Sequence, residues 1–299
     1  FDPLSTAHTM SSPPIWFITG CSSGFGTSLA LLALRSGHKV IATSRNPSKT
    51  PVLVSEVQSL GGVWHTLDVC APEPELAKAV EKATNVWGRI DILVNAAGYA
   101  LLGAFETFSD AEARAQMATN FFGPLTLTRL ILPSMRVRHS GTVVQISSAT
   151  GLEAKPSRSL YSASKFALEA FSEALYHEVK PLGIRVLLVE PGWFGTNFSR
   201  ALARPEAALP REYEGTVVKQ VLDATVALGG VGASAPNDVE KGCRAVFDAV
   251  MGRGLGEGLE ETIRLPLGKD CVARIRVKIE EHRHMLDVTE KLWSSTDAD

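Results

Sequence analysis

Short, nearly unbroken apolar runs alternate along the chain with longer segments whose apolar residues recur every three or four positions. The short runs lie at 15–19, 39–43, 63–67, 90–95, 141–146 and 185–190. Runs of this length without polar alternation predict strands covered on both faces, as in a parallel sheet. The segments between them, 24–36, 50–60, 73–86, 109–138 and 158–180, predict helices, the fourth broken at Gly123-Pro124. Such alternation predicts an α/β fold in which right-handed crossovers join the strands of a doubly wound parallel sheet.

Beyond Pro191 the alternation stops. Residues 193–237 are rich in Ala, Gly and Pro, with a helical patch at 213–228. A helix at 238–251, a short strand at 261–265 and a C-terminal helix over 269–292 are expected, with the glycine-rich run 252–258 as a flexible connection. No repeat or second domain is apparent. The expected organisation is one domain over 11–299, with 193–237 as a substrate lid and 252–299 as a C-terminal extension. Residues 1–10 are expected to be disordered or foreign to the native chain, with Met10 as the native start.

Composition narrows the class. The 299 residues are 45% hydrophobic and 21% charged, which is globular composition. A net charge of −2 argues against nucleic acid as the main partner, because phosphate binding wants a basic surface. No run approaches the roughly 20 apolar residues of a membrane span, and no signal peptide is visible. Cys21, Cys70, Cys243 and Cys271 form no C-x-x-C pair, which argues against a metal site or disulfide framework and for a reducing, cytoplasmic setting. His282 and His284 read as a solvated helix face, not metal ligands. Arg274, Arg276 and Lys278 read as part of a partly exposed tail helix at a subunit interface.

After the first strand the chain reads Thr19-Gly20-Cys21-Ser22-Ser23-Gly24-Phe25-Gly26. Glycines permit a sharp turn into the next helix, whose free N–H groups and partial positive charge suit a pyrophosphate. The same pattern also describes a tight turn without a ligand. At the end of the second strand, where an acid would select a 2′-hydroxyl, the chain has Ser44-Arg45. A guanidinium there suits a 2′-phosphate and so NADP(H), although surface arginines are common.

Tyr161 and Lys165 are four residues apart in a predicted helix and so share a face. A neighbouring ammonium favours the phenolate, which would make Tyr161 an acid–base group. Taken alone, an ordinary surface pair is the plainer reading. Ser148 follows the fifth strand, 13 residues before Tyr161, with Ser147 as the adjacent alternative. Open parallel sheets bind ligands at the carboxyl ends of their strands. Asn120 lies in an apolar helical stretch, where its amide needs partners; capping or supporting a kink would also satisfy it.

Together these pieces resemble the short-chain dehydrogenase/reductase family. The matching segments are TGCSSGFG at 19–26, Asp68-Val69, NAAG at 95–98, Asn120, Ser148, YSASK at 161–165 and PGWFGTNF at 191–198. The likeness is to NADP(H)-preferring members of the 17β-hydroxysteroid and retinol dehydrogenase-like group. The segment Leu265-Pro266-Leu267-Gly268-Lys269-Asp270 is similar to one in fungal secondary-metabolite reductases. The resemblance implies a Rossmann fold. It implies that Gly20, Gly24 and Gly26 shape the phosphate turn, with contacts from Ser22, Ser23 and Phe25. It puts Ser44 and Arg45 at the 2′-phosphate, Asp68 and Val69 beside the adenine, and Asn95 and Gly98 in the cofactor floor. Pro191, Gly192 and Thr196 would contact the carboxamide end. Tyr161 would exchange the proton, Lys165 hold the nicotinamide ribose and lower the Tyr161 pKa, Ser148 polarise the carbonyl, and Asn120 position a relay water.

The expected function is NADP(H)-dependent reduction of a ketone or aldehyde on a mid-sized apolar substrate, or oxidation of the alcohol. The alternatives are a non-redox cyclase, dehydratase or epimerase on the same scaffold, or a cofactor-sensing binding protein. Trp193, Phe194, Phe198, Leu202, Leu209, Val217, Val218 and Val221 are expected to line the lid, about half of them as plain core. Tyr99, Ala100, Leu101 and Leu102 form the expected opposite wall. Relatives pair through the helices at 109–138 and 158–180, so a homo-oligomer is expected.

Overall fold

The structure, a computed structural model, describes residues 12–196, 198, 202–229 and 235–297, without the side chains of 226–229. The expectations for residues 1–10, and for 197, 199–201 and 230–234 of the lid, lie outside the described residues. Seven parallel strands form one sheet: β1 (Ile15–Ile18), β2 (Lys39–Ser44), β3 (Val63–Thr66), β4 (Ile92–Asn95), β5 (Gly141–Ile146), β6 (Ile184–Pro191) and β7 (Arg264–Leu267). Their order is β3-β2-β1-β4-β5-β6-β7. The chain runs outward one way from β1 to β3, then returns to place β4 on the other side of β1. This reversal opens a crevice beyond the carboxyl ends of β1 and β4, the usual ligand position in such sheets.

The helices are α1 (Gly24–Arg35), α2 (Pro51–Ser59), α3 (Glu73–Trp87), α4 (Asp110–Met117), α5 (Gly123–Arg138), α6 (Ser159–Val179), α7 (Val217–Gly229), α8 (Val239–Met251) and α9 (Lys269–Trp293). Side chains of β1 alternate between two cores, as the period of a strand requires. Trp16 and Ile18 pack with α1 and α8, whereas Ile15 and Phe17 pack with α3, α5 and α6. Trp16 stacks on Phe247 of α8 with ring centroids 5.5 Å apart and donates its indole N–H to His38 at 2.9 Å. Burying the indole therefore leaves no orphan donor.

Three sequence expectations need correction. The helix predicted at 109–138 is interrupted before Gly123-Pro124, by a wider π turn at Ala118–Phe122, and α5 resumes at Gly123. Pro124 needs no N–H partner in a first helical turn, so it starts a helix here and does not break one. The last strand starts three residues and ends two residues later than expected. β7 pairs Leu265 with Val189 and Pro266 with Glu190, and as an edge strand it tolerates a proline. The glycine run 252–258, expected as a flexible connection, holds a 3-10 turn at Gly254–Gly256 in which Gly256 alone is buried. Gly252 ends α8 with φ +60°, Gly256 lies against the Asp248 carbonyl, and Arg185 donates to the carbonyls of Ala249 and Leu259 at 2.5 and 2.7 Å.

Candidate active site

The turn from β1 into α1 is built on close backbone approach. Gly20 and Gly24 have φ of +71° and +61°, a region costly to residues with a Cβ. A Cβ on Gly20 would lie 2.8 Å from the Ala97 backbone, and one on Gly26 2.5 Å from the Gly20 carbonyl. Thr19 Oγ1 locks the neighbouring strand end by accepting the N–H groups of Ala96 and Ala97 at 3.0 and 3.1 Å. Ser23, which precedes α1, makes no side-chain cap, so the first N–H groups of the helix stay open to an anion. A cleft of about 250 Å³ lies over them, lined by Ser22, Ser23, Gly24, Thr27 and Thr196. Phe25 points away from it and packs edge-on against Phe194 at 5.1 Å, leaving only its backbone at the turn.

Around the end of β2, Ser44 is buried and accepts the Trp64 indole N–H at 3.2 Å, so its side chain braces the sheet. Arg45 is exposed, close enough for its charge to act on the Cys70 thiol and the Tyr99 phenol, both of which burial pushes up. Asp68 is exposed and accepts the Cys70 N–H at 2.9 Å. Val69 is buried against Gly123. Asn95 turns its amide inward, donating to Gln145 at 3.0 Å and Thr128 at 3.3 Å, and so stiffens the floor from below.

Four polar residues converge at the ends of β4 and β5. Asn120, in the π turn, is fully buried. Its Oδ1 accepts the Tyr99 N–H at 3.2 Å, and its Nδ2 donates to the Tyr99 carbonyl and the Ser164 hydroxyl, both at 3.0 Å. A Cβ on Gly98 would lie 3.2 Å from Asn120 Oδ1 and 3.8 Å from Lys165 Nζ, so both groups crowd this glycine. Lys165 Nζ donates to the Ile146 carbonyl at 2.7 Å. Burial lowers its pKa to about 8, opposed by the charge of Glu169.

Tyr161 is also buried, and burial raises its phenol above the ordinary value. The Ser148 hydroxyl beside it and the guanidinium charges of Arg158 and Arg274 oppose that shift. Ser147 Oγ is buried beside Gly151 and Glu169, with no hydrogen-bond partner among the described residues. Over Tyr161 lie Leu202, Leu209, Val218 and Leu222, facing Ala100 and Leu102, with the Phe198 ring 5.9 Å from the Tyr161 ring. Phe194 belongs to the core beside α8, and Val217 is exposed, so neither joins this roof.

The loop after β6 is anchored by a residue that sequence reasoning passed over. Asp270, in the first turn of α9, accepts the Trp193 N–H at 2.7 Å and the Asn237 amide at 2.7 Å, while Gly192 donates to Leu267 at 2.8 Å. Pro191 ends β6, and Thr196 is carried back over Gly24. Arg158 and Glu169 were also missed, Ser164 was read only as part of the YSASK segment, and Arg274 only as part of the tail helix. Each acts through a neighbour distant in sequence or hidden among many similar residues.

A family model described as short chain dehydrogenase matches residues 14–207. Oxidoreductase claN of Passalora fulva is 43% identical over 213 residues, covering 71% of this chain and 96% of that protein. Bovine retinol dehydrogenase 8 is 37% identical, covering 69% of this chain and 66% of that protein. The crystal structure of a short-chain dehydrogenase from Streptomyces avermitilis superposes with a TM-score of 0.84 at 35% identity, covering 96% of this chain and all of that one. The chain belongs to the short-chain dehydrogenase family. It is an oxidoreductase of that family, whose members use nicotinamide cofactors. The open N–H groups of α1 and the glycine cradle fit the pyrophosphate of such a dinucleotide. Among the described residues no helix is long and apolar enough to cross a membrane.

Proposed function

We propose that the chain is an NADP(H)-dependent carbonyl reductase, or the corresponding alcohol dehydrogenase, acting on a mid-sized substrate with an apolar body. One observation carries this reading: Tyr161, Ser148, Lys165 and Asn120 share one small region roofed by the apolar side chains of the lid. When bound, the cofactor supplies hydride chemistry. The α1 turn would hold the pyrophosphate and Arg45 a 2′-phosphate. Lys165 would hold the ribose beside it. Tyr161 would donate the phenolic proton to the carbonyl oxygen during reduction, and Ser148 would hydrogen-bond the same oxygen. Asn120 would support the relay that returns a proton toward Lys165. The buried roof keeps water from that proton transfer.

The joining of β7 to the main sheet supports one domain over 11–299. An apolar groove between α5 and α6, including Leu125, Leu132, Phe171 and Leu182, supports homo-oligomer formation there. Four free cysteines support a cytoplasmic setting.

The test follows NADPH absorbance with a panel of ketones. Tyr161→Phe removes the transferable proton, so turnover should be abolished while calorimetric NADPH binding remains. Turnover at the wild-type rate in that variant would remove Tyr161 from the chemistry.

A further inference from the structure

Arg158 immediately precedes α6, and Arg274 lies on α9. Arg158 is three residues before Tyr161 and so lies one turn away on its side of the helix. Its Nη2 donates to Thr225 Oγ1 at 3.2 Å. Thr225 lies on α7 one turn beyond Leu222, a residue of the Tyr161 roof. Arg274 Nε donates to Glu153, which also meets Lys155 Nζ at 3.5 Å. Arg274 and Lys155 thus share the carboxylate of Glu153, and Arg158 feels the attraction of that carboxylate and the repulsion of Arg274. Arg158 Nε and Arg274 Nη2 are buried and have no hydrogen-bond partner among the described residues.

A buried guanidinium donor without an acceptor is costly, and two beside one another are costlier. Stability alone favours neither. Both are satisfied if a carboxylate enters between them, since guanidinium forks match carboxylates in paired hydrogen bonds. We propose that Arg158 and Arg274 form a carboxylate-binding subsite at the edge of the substrate pocket, so that the carbonyl substrate is an amphipathic oxo acid. Its carbonyl meets Tyr161, its apolar body lies under Leu202, Val218 and Leu222, and its acid end reaches the two arginines. This rests on the reductase reading above and adds the class of substrate to it.

The test compares a series of oxo carboxylic acids of increasing chain length with their methyl esters, using NADPH oxidation. The acid should have the higher kcat/KM at the matching length, and 0.5 M salt should reduce that preference. Arg158→Gln and Arg274→Gln should each lower the acid-to-ester ratio by roughly 10- to 100-fold, the range for a lost charged hydrogen bond. Arg274→Lys should retain part of it. Equal acid and ester rates in wild type, or equal losses for both in the variants, would overturn the subsite. Equal losses would mean that the arginines serve only the fold or the Tyr161 phenol.

If neither series is reduced, saturation-transfer NMR with decanoate separates the two readings. Binding of decanoate but not methyl decanoate, lost in Arg158→Gln, supports the subsite without the reductase. No binding rejects it. Should the glutamine variants fail to fold, the wild-type acid-to-ester ratio and its salt dependence decide.

Discussion

Asn120 holds the backbone of Tyr99 at two points, accepting its N–H at 3.2 Å and donating to its carbonyl at 3.0 Å. The π turn makes this possible by turning a side chain of the α4–α5 segment toward the strand-end loop after β4. Functional sites often use such wide turns. Asn120→Ala would leave the Tyr99 N–H without its acceptor, while the Tyr99 carbonyl keeps the Gln116 amide and the Ser164 hydroxyl keeps the Tyr161 carbonyl. The expected cost is about 1–3 kcal/mol, the range for one buried group left unpaired. Urea denaturation reads the loss. Activity should fall further than stability predicts, because the Gly98–Tyr99 wall moves.

Arg45 tests the cofactor preference. Its side chain is exposed, beside Cys70 and Tyr99. Arg45→Ala should weaken NADPH binding by roughly 10- to 100-fold while changing NADH binding little, because only NADPH carries the 2′-phosphate. Calorimetry with both cofactors is the measurement. Equal loss for both would assign Arg45 to the turn rather than to the phosphate.

Lys165 introduces a pH dependence near the working range. Burial lowers its pKa to about 8, so its ammonium is present below that pH and lost above it. Cofactor affinity should therefore weaken as pH rises through about 8. Glu169 attracts the ammonium, so Glu169→Gln should shift that fall to lower pH. Dissociation constants measured from pH 6 to 10 would show it. A flat profile would mean that Lys165 does not hold the cofactor by its charge.

Glu190 gives a second pH dependence, in folding stability. It is buried beside Glu169 and accepts from Arg264 Nη1 at 2.9 Å. Burial, then the charge of Glu169, raises its pKa to about 7. Between the ordinary carboxylate range and pH 7 the folded chain keeps a proton that the unfolded chain has released. Folding stability therefore falls as pH rises through that window, and the penalty is complete above it. Glu190→Gln removes this titration. Its stability relative to wild type should improve from pH 5 to pH 8 by on the order of 1–3 kcal/mol. Guanidinium unfolding at the two pH values checks the sign. No change between them would show that Glu190 is already ionised at pH 5 in the folded chain.

Local patterns were legible from the chain itself. Buried strands without polar alternation marked the sheet, glycines at 20, 24 and 26 marked the turn, and the four-residue spacing placed Tyr161 beside Lys165 on α6. These depend on backbone geometry over a few residues, which spacing encodes directly. Arg158 and Arg274, by contrast, look like ordinary surface arginines. Only the packing of α9 beside the segment between β5 and α6 brings Arg274 to Tyr161 and Arg158. The lid divides in the same way. Leu202 and Val218 face Tyr161 while Phe194 joins the core, although all three are equally apolar in sequence. The strand–helix order, the glycine turn and the shared face of Tyr161 and Lys165 were thus determined by the sequence, because each is set by local backbone geometry. The tertiary structure alone decided which distant side chains lose water together, because desolvation and charge depend on neighbours that no spacing reveals.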